Sequence, residues 1–284
     1  MRVLVTGAGG MVGRAVSEYC RLNDDLVFAY DHRGLDIGDL DRVLEAVKTD
    51  KPDVIINCAA WTDVDGCERD KERAFAANAY GPENLATASH ALGATLVTIS
   101  TDYVFDGTKP GFYTQNDQPN PKSIYGKSKL EGERRAIGSG SRTVVVRTGF
   151  IFGPGGKNFL STIVQRALRG EQIKAISDAF GTPTYALDLA PRLRELAAGN
   201  FSGIFHVANE GDGVSYEEFA REALRLAGCA DIDVEGVLMD SLKRPAPRPQ
   251  NSRLRCLYSE ELGLAPLPDW RDSLADFVQN TNED

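Results

Sequence analysis

"VLVTGAGGMVGRAV" (Val3–Val16) decides the fold. A short apolar run from Arg2 to Thr6 stops at a turn bearing Gly7, Gly10 and Gly13, and an amphipathic stretch begins at Met11. Among 28 glycines that spacing arises by chance in roughly a third of such chains, so the spacing alone decides little. Its place, at the first strand-to-helix junction, decides more. There the turn must be tight and the backbone must come close to a pyrophosphate. The first N–H groups of the helix and its positive dipole end then face the anion. We read a dinucleotide-binding turn.

Outward from it, "DLVFAYD" is a second strand ending at Asp31, about 20 residues on, where a carboxylate accepts hydrogen bonds from a ribose 2′-hydroxyl. His32 and Arg33 follow at once and could instead attract a 2′-phosphate. The cofactor is therefore NADPH or NADH, with the choice open. Helical periodicity in "LDRVLEAVKTD" leads to the strand "DVIINCAA". "ERAFAANAYGPENLATASHAL" reads as one long, interrupted helix before the strand "ATLVTIS". A helix opening near Tyr125 precedes the strand "RTVVVRT". Strands alternating with helices at this spacing form βαβ units, so the expectation is an α/β fold with a Rossmann-type doubly wound parallel sheet. Ligands of such sheets bind outside the carboxyl ends of the strands. Past Gly153 the pattern loosens. We expect an NAD(P)-binding domain over 1–150 and a smaller C-terminal α/β substrate lobe drawn mainly from 151–284, some segments of which return to the first domain. A cleft should separate them.

Composition narrows the function classes. The formal charge of −9 over 284 residues disfavours a nucleic-acid partner, since phosphate backbones demand a basic face. A local basic pocket for a small phosphorylated ligand remains compatible, and "KRPAPRPQNSRLR" supplies a positive loop. No apolar run reaches membrane-span length, and the opening one is too short for a signal peptide. Cys20, Cys58, Cys67, Cys229 and Cys256 are odd in number and lack metal-type spacing, and only three histidines are present. These point to no metal and to a reduced, cytoplasmic setting. Asp63, Asp65, Asp102 and Asp106 read as solvated loop acids, because they lack histidine companions.

The second informative stretch is "SIYGKSKLEGE" (Ser123–Glu133). Tyr125 and Lys129 stand four apart, on one face of a helix, while Lys127 projects elsewhere into solvent. A phenol beside an ammonium is suited to proton transfer, although a solvated pair reads the same way in isolation.

A Gly-x-x-Gly-x-x-Gly turn followed by Tyr-x-x-x-Lys resembles the extended short-chain dehydrogenase/reductases. "STDYVFDG", "YGKSKLEGE", "GTPTYALDLA" and "RPQNSRL", in that order, resemble the dTDP-4-dehydrorhamnose reductase family over nearly the whole chain. The resemblance implies NAD(P)H-dependent reduction of the C4 ketone of dTDP-6-deoxy-L-lyxo-4-hexulose to dTDP-L-rhamnose. It implies that Gly10, Met11 and Val12 meet the pyrophosphate, Asp36 and Ile37 the adenine, and Ala60, Trp61 and Thr62 the rest of the cofactor. Thr101, Tyr125 and Lys129 would be the catalytic set, with Lys129 also reaching the cofactor. Asp102, Phe150 and Asn158 would face the sugar nucleotide, and Arg248 and Arg253 its diphosphate. Relatives commonly have Arg-Thr-Ser-Trp where this chain has "RTGF", so Phe150 offers a stacking face without the indole N–H. The identity of the sugar is left open by that exchange.

In this reading Lys129 lowers the pKa of Tyr125, from an ordinary value near 10, so that the phenol protonates the reduced oxygen. Thr101 donates a hydrogen bond to that oxygen. Dehydratases on this scaffold place Asp-Glu after the threonine; here Tyr103 follows Asp102, which disfavours water elimination. A 4-epimerase would use the same tyrosine and lysine, and a non-catalytic cofactor-binding regulatory subunit is the non-enzyme alternative. The sequence does not distinguish a monomer from a homodimer.

Overall fold

The structure, a computed structural model, describes residues 1–140 and 142–281. Its centre is a six-stranded sheet built from β1 (Arg2–Thr6), β2 (Leu26–Tyr30), β3 (Val54–Asn57), β4 (Thr95–Thr101), β5 (Arg142–Thr148) and a later strand, Gly203–His206. Every pairing in it is parallel. Strand order runs from β2 through β1, β3, β4 and β5 to that later strand, so the order reverses direction at β1 and β3. At such a switch point the loops leaving neighbouring strands diverge and open a crevice at the carboxyl ends.

Between these strands run α1 (Met11–Leu22), α2 (Leu40–Asp50), the short α3 (Val64–Arg69) and α4 (Lys71–Phe75), α5 (Gly81–Leu92) and α6 (Ile124–Gly138). The interruption expected in the long helix is a π turn over Ala76–Tyr80 joining α4 to α5. The inner strands are almost entirely buried, as parallel sheets covered on both faces require. Apolar residues occupy their centres, with Asn57, Thr98, Ser100, Thr101, Arg147 and Thr148 toward their carboxyl ends. α2, α5 and α6, with the segment leading into α2, cover one face, packing Leu35, Ile37, Val43, Leu85 and Ala136 under Leu4, Ile55 and Leu96. The other face is covered by α1 and by a helix from late in the chain.

After β5 come β6 (Ile151–Phe152), α7 (Phe159–Leu168), β7 (Ile173–Ile176), β8 (Phe180–Gly181), β9 (Thr184–Tyr185) and α8 (Ala186–Ala198). Leu189, Leu193 and Leu196 of α8 pack with Val16 and Cys20 of α1 against Val3, Val5 and Val144. The strand Gly203–His206, β10, then joins the sheet edge beside β5. The remaining elements, β11 (Val214–Ser215), α9 (Tyr216–Leu226), β12 (Val234–Val237) and α10 (Trp270–Thr281), share a second core with α7 and β7. Phe152, Phe219, Trp270 and Phe277 are at its centre. The parallel pair of β7 and β12 closes this lobe, and the positive loop between β12 and α10 runs back over the end of the sheet.

Candidate active site

A cleft of about 980 Å³ lies between the carboxyl ends of the sheet and the second core. Its first wall is the glycine turn. Gly7 has φ +65°, and a Cβ there would come within 2.6 Å of the Ala59 backbone nitrogen. At Gly13 a Cβ would come within 2.2 Å of the Gly7 carbonyl oxygen. These are positions where only hydrogen fits. Gly10 caps α1 with no side-chain acceptor, and no acid stands in the first turn. The first N–H groups of α1 are therefore left for an anion. Arg14 secures this turn to the second lobe, donating to the carbonyls of Gly9 (2.6 Å) and Gly155 (3.0 Å).

The second wall is where β4 ends beside β5, with Thr101 opposite Thr148. Thr101 is buried; its Oγ1 accepts from the Tyr103 N–H at 3.1 Å and donates to Asp102 at 3.0 Å. α6 comes in against this corner because Gly126 has no side chain: a Cβ there would sit 2.3 Å from the Tyr103 carbonyl oxygen. Ser123 caps the helix through the Gly126 N–H, and the Ile124 N–H donates to Glu68 at 2.7 Å. Tyr125 and Lys129 consequently both line the cleft with Thr101, while Lys127 is exposed.

The electrostatics of this corner differ from the sequence expectation. Burial, with Asp102 and Cys67 nearby, holds the Tyr125 phenol well above its ordinary pKa despite a hydrogen bond with Thr101. Lys129 does not pull it down. Its ammonium is turned to the Ile99 carbonyl, 2.7 Å away, and burial pushes it down to about 8. Asp102 is also not the solvated loop acid expected: it is buried against Gly149, and burial raises its carboxyl to about 6. The other three acids have partners of their own. Asp63 caps α3, Asp65 pairs with Arg248, and Asp106 accepts from Thr108, Tyr113 and Asn120. Among the described residues no group of three His, Cys, Asp or Glu is gathered as a metal site would need.

Gly10, Met11, Val12, Gly13, Ala60, Thr62, Asp102, Phe150, Asn158 and Arg248 also line the cleft. Phe150 stands at φ +52°, a left-handed conformation that costs a bulky residue energy. Its ring packs 4.2 Å from that of Tyr216 and fills the space above Gly181. Asn158 caps α7, accepting from the Ser161 N–H at 2.9 Å and donating to the Ile151 carbonyl at 2.8 Å. Arg248 grips Asp65 with both guanidinium nitrogens, at 3.0 and 2.9 Å.

Other candidates are not brought to the lining. Asp31 is exposed beyond β2, where its Oδ1 already accepts from the N–H groups of Arg33 and Gly34. Asp36 accepts from Gly38, and the Ile37 side chain is buried in the core under Gly81. Trp61 lies beneath the Arg73 guanidinium, 4.4 Å from its ring centroid. Arg253 is held between Phe112 and Phe180 and donates to Asn251, away from the cleft.

Several lining or supporting residues escaped the sequence reading. Asn78, within the π turn, binds the Trp61 backbone at both ends (2.9 and 3.0 Å) and donates to Ser128 of α6 (3.1 Å). Irregular helix at a site is a recognisable device, but nothing in "AFAANAYG" announces it. Arg166 and Lys174 face the cleft from α7 and β7, each paired with a glutamate. Arg244 joins them and, among the described residues, has no ion pair or hydrogen-bond partner.

The family described as the RmlD substrate binding domain matches residues 1–283. A dTDP-4-dehydrorhamnose reductase of Mycolicibacterium smegmatis is 39% identical over 98% of this chain and 85% of its own length. A probable dTDP-4,6-dihydroxy-2-methyloxan-3-one 4-ketoreductase of Streptomyces antibioticus is 36% identical over 96% and 93%. Among solved structures, the dTDP-4-dehydrorhamnose reductase of Bacillus anthracis in complex with NADP superposes with a TM-score of 0.94 at 33% identity, covering 98% of each chain. The glycine turn, the Thr101–Tyr125–Lys129 corner and this likeness along the full length agree, and the chain belongs to the dTDP-4-dehydrorhamnose reductase family.

Proposed function

We propose that this protein reduces the C4 ketone of a dTDP-4-keto-6-deoxy sugar, turning dTDP-4-dehydrorhamnose into dTDP-L-rhamnose with NADPH or NADH, in the cytoplasm. The observation that carries the reading is the meeting of Thr101, Tyr125 and Lys129 in one cleft with a phosphate-type glycine turn. The residues present fit a dinucleotide, since Gly7 and Gly13 leave a cradle that a Cβ would fill and α1 opens with unsatisfied N–H groups. Gly10, Met11 and Val12 would hold its pyrophosphate, and Ala60 and Thr62 would flank the remainder. When bound, the reduced nicotinamide supplies the hydride.

The chain's own part is orientation and the proton. Thr101 holds the carbonyl oxygen by a hydrogen bond that strengthens as charge develops there. Tyr125 protonates the same oxygen. Its raised pKa suits this direction of reaction, because the phenol stays protonated until an alkoxide, a far stronger base, forms beside it. The Lys129 ammonium, once released from the Ile99 carbonyl, then stabilises the phenolate left behind. Across the cleft, Arg166, Lys174, Arg244 and Arg248 form a cationic wall in a protein of net charge −9, suited to the substrate's diphosphate. Arg244, which makes no hydrogen bond or salt bridge to a carboxylate among the described residues, is the foremost of these. Phe150 and Tyr216 would stack on the sugar.

The test is direct. Purified protein, NADPH or NADH and the dTDP-4-keto sugar are mixed and the absorbance of the reduced nicotinamide is followed. Stoichiometric oxidation is expected. Cofactor binding without oxidation by any 4-keto nucleotide sugar would support the regulatory-subunit alternative, and interconversion of 4-epimers without net oxidation would support an epimerase.

A further inference from the structure

We propose that Glu133 is a positioning residue for this reduction: its buried carboxylate keeps the Lys129 ammonium charged beside Tyr125, while Ser100 and Arg147 hold the carboxylate in place. The inference rests on the reductase reading. Tyr125, Lys129 and Glu133 occupy successive i, i+4 positions of α6 and so share one face, directed at the ends of β4 and β5. The Glu133 and Arg147 side chains are only 4% and 3% exposed. Arg147 grips Glu133 through Nε (2.9 Å) and Nη2 (2.7 Å), and the Ser100 hydroxyl donates to the same carboxylate.

Lys129 itself is 4% exposed. Its one donated hydrogen bond to protein goes to the neutral Ile99 carbonyl, and among the described residues no carboxylate is in salt-bridge contact with it. An ammonium in that position should lose its proton unless a negative charge lies near. The groups facing it can be enumerated. Cys58, from the end of β3, has a thiol pushed up to about 12 by burial and is neutral. β4 contributes Ile99 and Ser100, β5 contributes the cation Arg147, and Tyr125 on the same helix is a neutral phenol. Asp102 lies beyond Thr101, raised to about 6. The Glu133 carboxylate is the strongest influence opposing the burial of Lys129.

The cluster is therefore one anion between two cations. Arginine does not give up its proton in proteins, so removing the Glu133 charge leaves Lys129 as the group that must. A buried ion pair is by itself weak support for stability; placed one turn from Lys129, this one has a use in the reaction.

The experiment compares the pH dependence of turnover, at saturating cofactor and dTDP-4-keto sugar, for the wild type and Glu133→Gln. The basic limb, where Lys129 loses its proton, should move down by about one unit or more. The ratio of variant to wild-type rate then falls as pH rises, and Glu133→Asp restores the limb at least in part. A rate loss by one constant factor at every pH would reduce Glu133 to a structural role and overturn the proposal. Arg147→Met gives a shift of opposite sign, upward, and decides the matter if Glu133→Gln does not fold; an unmoved limb there also overturns it. Titration of the Lys129 Nζ by NMR in the cofactor-free protein reads the same shifts without turnover. A protein that reduces no 4-keto sugar would thus sink the reductase reading while leaving the Glu133 effect measurable.

Discussion

Tyr125 and Asp102 show how burial, more than charge pairing, sets the chemistry of single residues here. Both lie at the same strand end, and burial drives both upward. Replacing Tyr125 by Phe removes the proton while leaving the ring, so turnover should fall by about 10²-fold or more with cofactor affinity nearly unchanged. Stopped-flow rates and fluorescence titration of the nicotinamide measure the two separately; retained turnover would remove Tyr125 from its role. For Asp102 the consequence is one of stability. Its folded pKa, about 6, lies above the unfolded value, so the folded state binds more protons between the two. That contribution is present at low pH and lost as pH rises through 6. Asp102→Asn, neutral throughout, should therefore be more stable than the wild type at pH 8, by on the order of 2 kcal/mol. The difference should vanish near pH 4, as urea midpoints would reveal.

Between elements, the decisive contacts are those where a side chain is missing. Gly13 lets α1 approach the turn, Gly126 lets α6 reach the Tyr103 carbonyl, and Gly132 lets α6 settle on the π turn, where a Cβ would come within 2.1 Å of the Asn78 carbonyl oxygen. These approaches place the phosphate turn and the Tyr125 face at one cleft. Gly13→Ala should weaken cofactor binding at least tenfold, about 1.4 kcal/mol, because the turn must shift to admit the methyl group. Gly10→Ala should weaken it much less, since Gly10 has an ordinary φ of −81° and its Cβ would sit 3.3 Å from the nearest atom. Calorimetric titration with NADPH compares the two, and equal effects would contradict the steric account.

At the scale of the whole molecule, the late chain completes the early one. α8 roofs one face of the sheet, and β10 adds its last strand. That addition buries His206, whose Nδ1–H donates to the carbonyls of Tyr113 (3.2 Å) and Arg255 (3.1 Å). Burial, with Arg147 nearby, pushes the imidazole down to about 3. The unfolded chain then takes up a proton below about 6.5 that the folded one refuses, so stability falls as pH drops from there toward 3. Asp102 works in the other direction over part of that range. His206→Gln should flatten the acid limb of the urea midpoint between pH 6.5 and 4; an unchanged slope would show that His206 is not its source.

What the sequence by itself determined is whatever depends on local spacing. The glycine turn, the boundaries of α1 and α2, and the shared face of Tyr125 and Lys129 follow from helical and strand periods and from steric demands within a few residues. The tertiary structure decided everything that requires distant segments to meet. The return of α8 and β10 to the first sheet is of this kind, as is the cationic wall assembled from α7, β7 and a proline-rich loop. So is the Ser100–Glu133–Arg147 cluster, which draws on β4, α6 and β5. Arg248 and Arg253 looked equivalent in "RPQNSRL", yet one lines the cleft and the other is held between Phe112 and Phe180. The pKa of Tyr125 belongs with these. A four-residue spacing places an ammonium near a phenol, but burial of the phenol in the folded protein sets the sign of the shift. Desolvation is a property of the packed surroundings, and no local pattern encodes it.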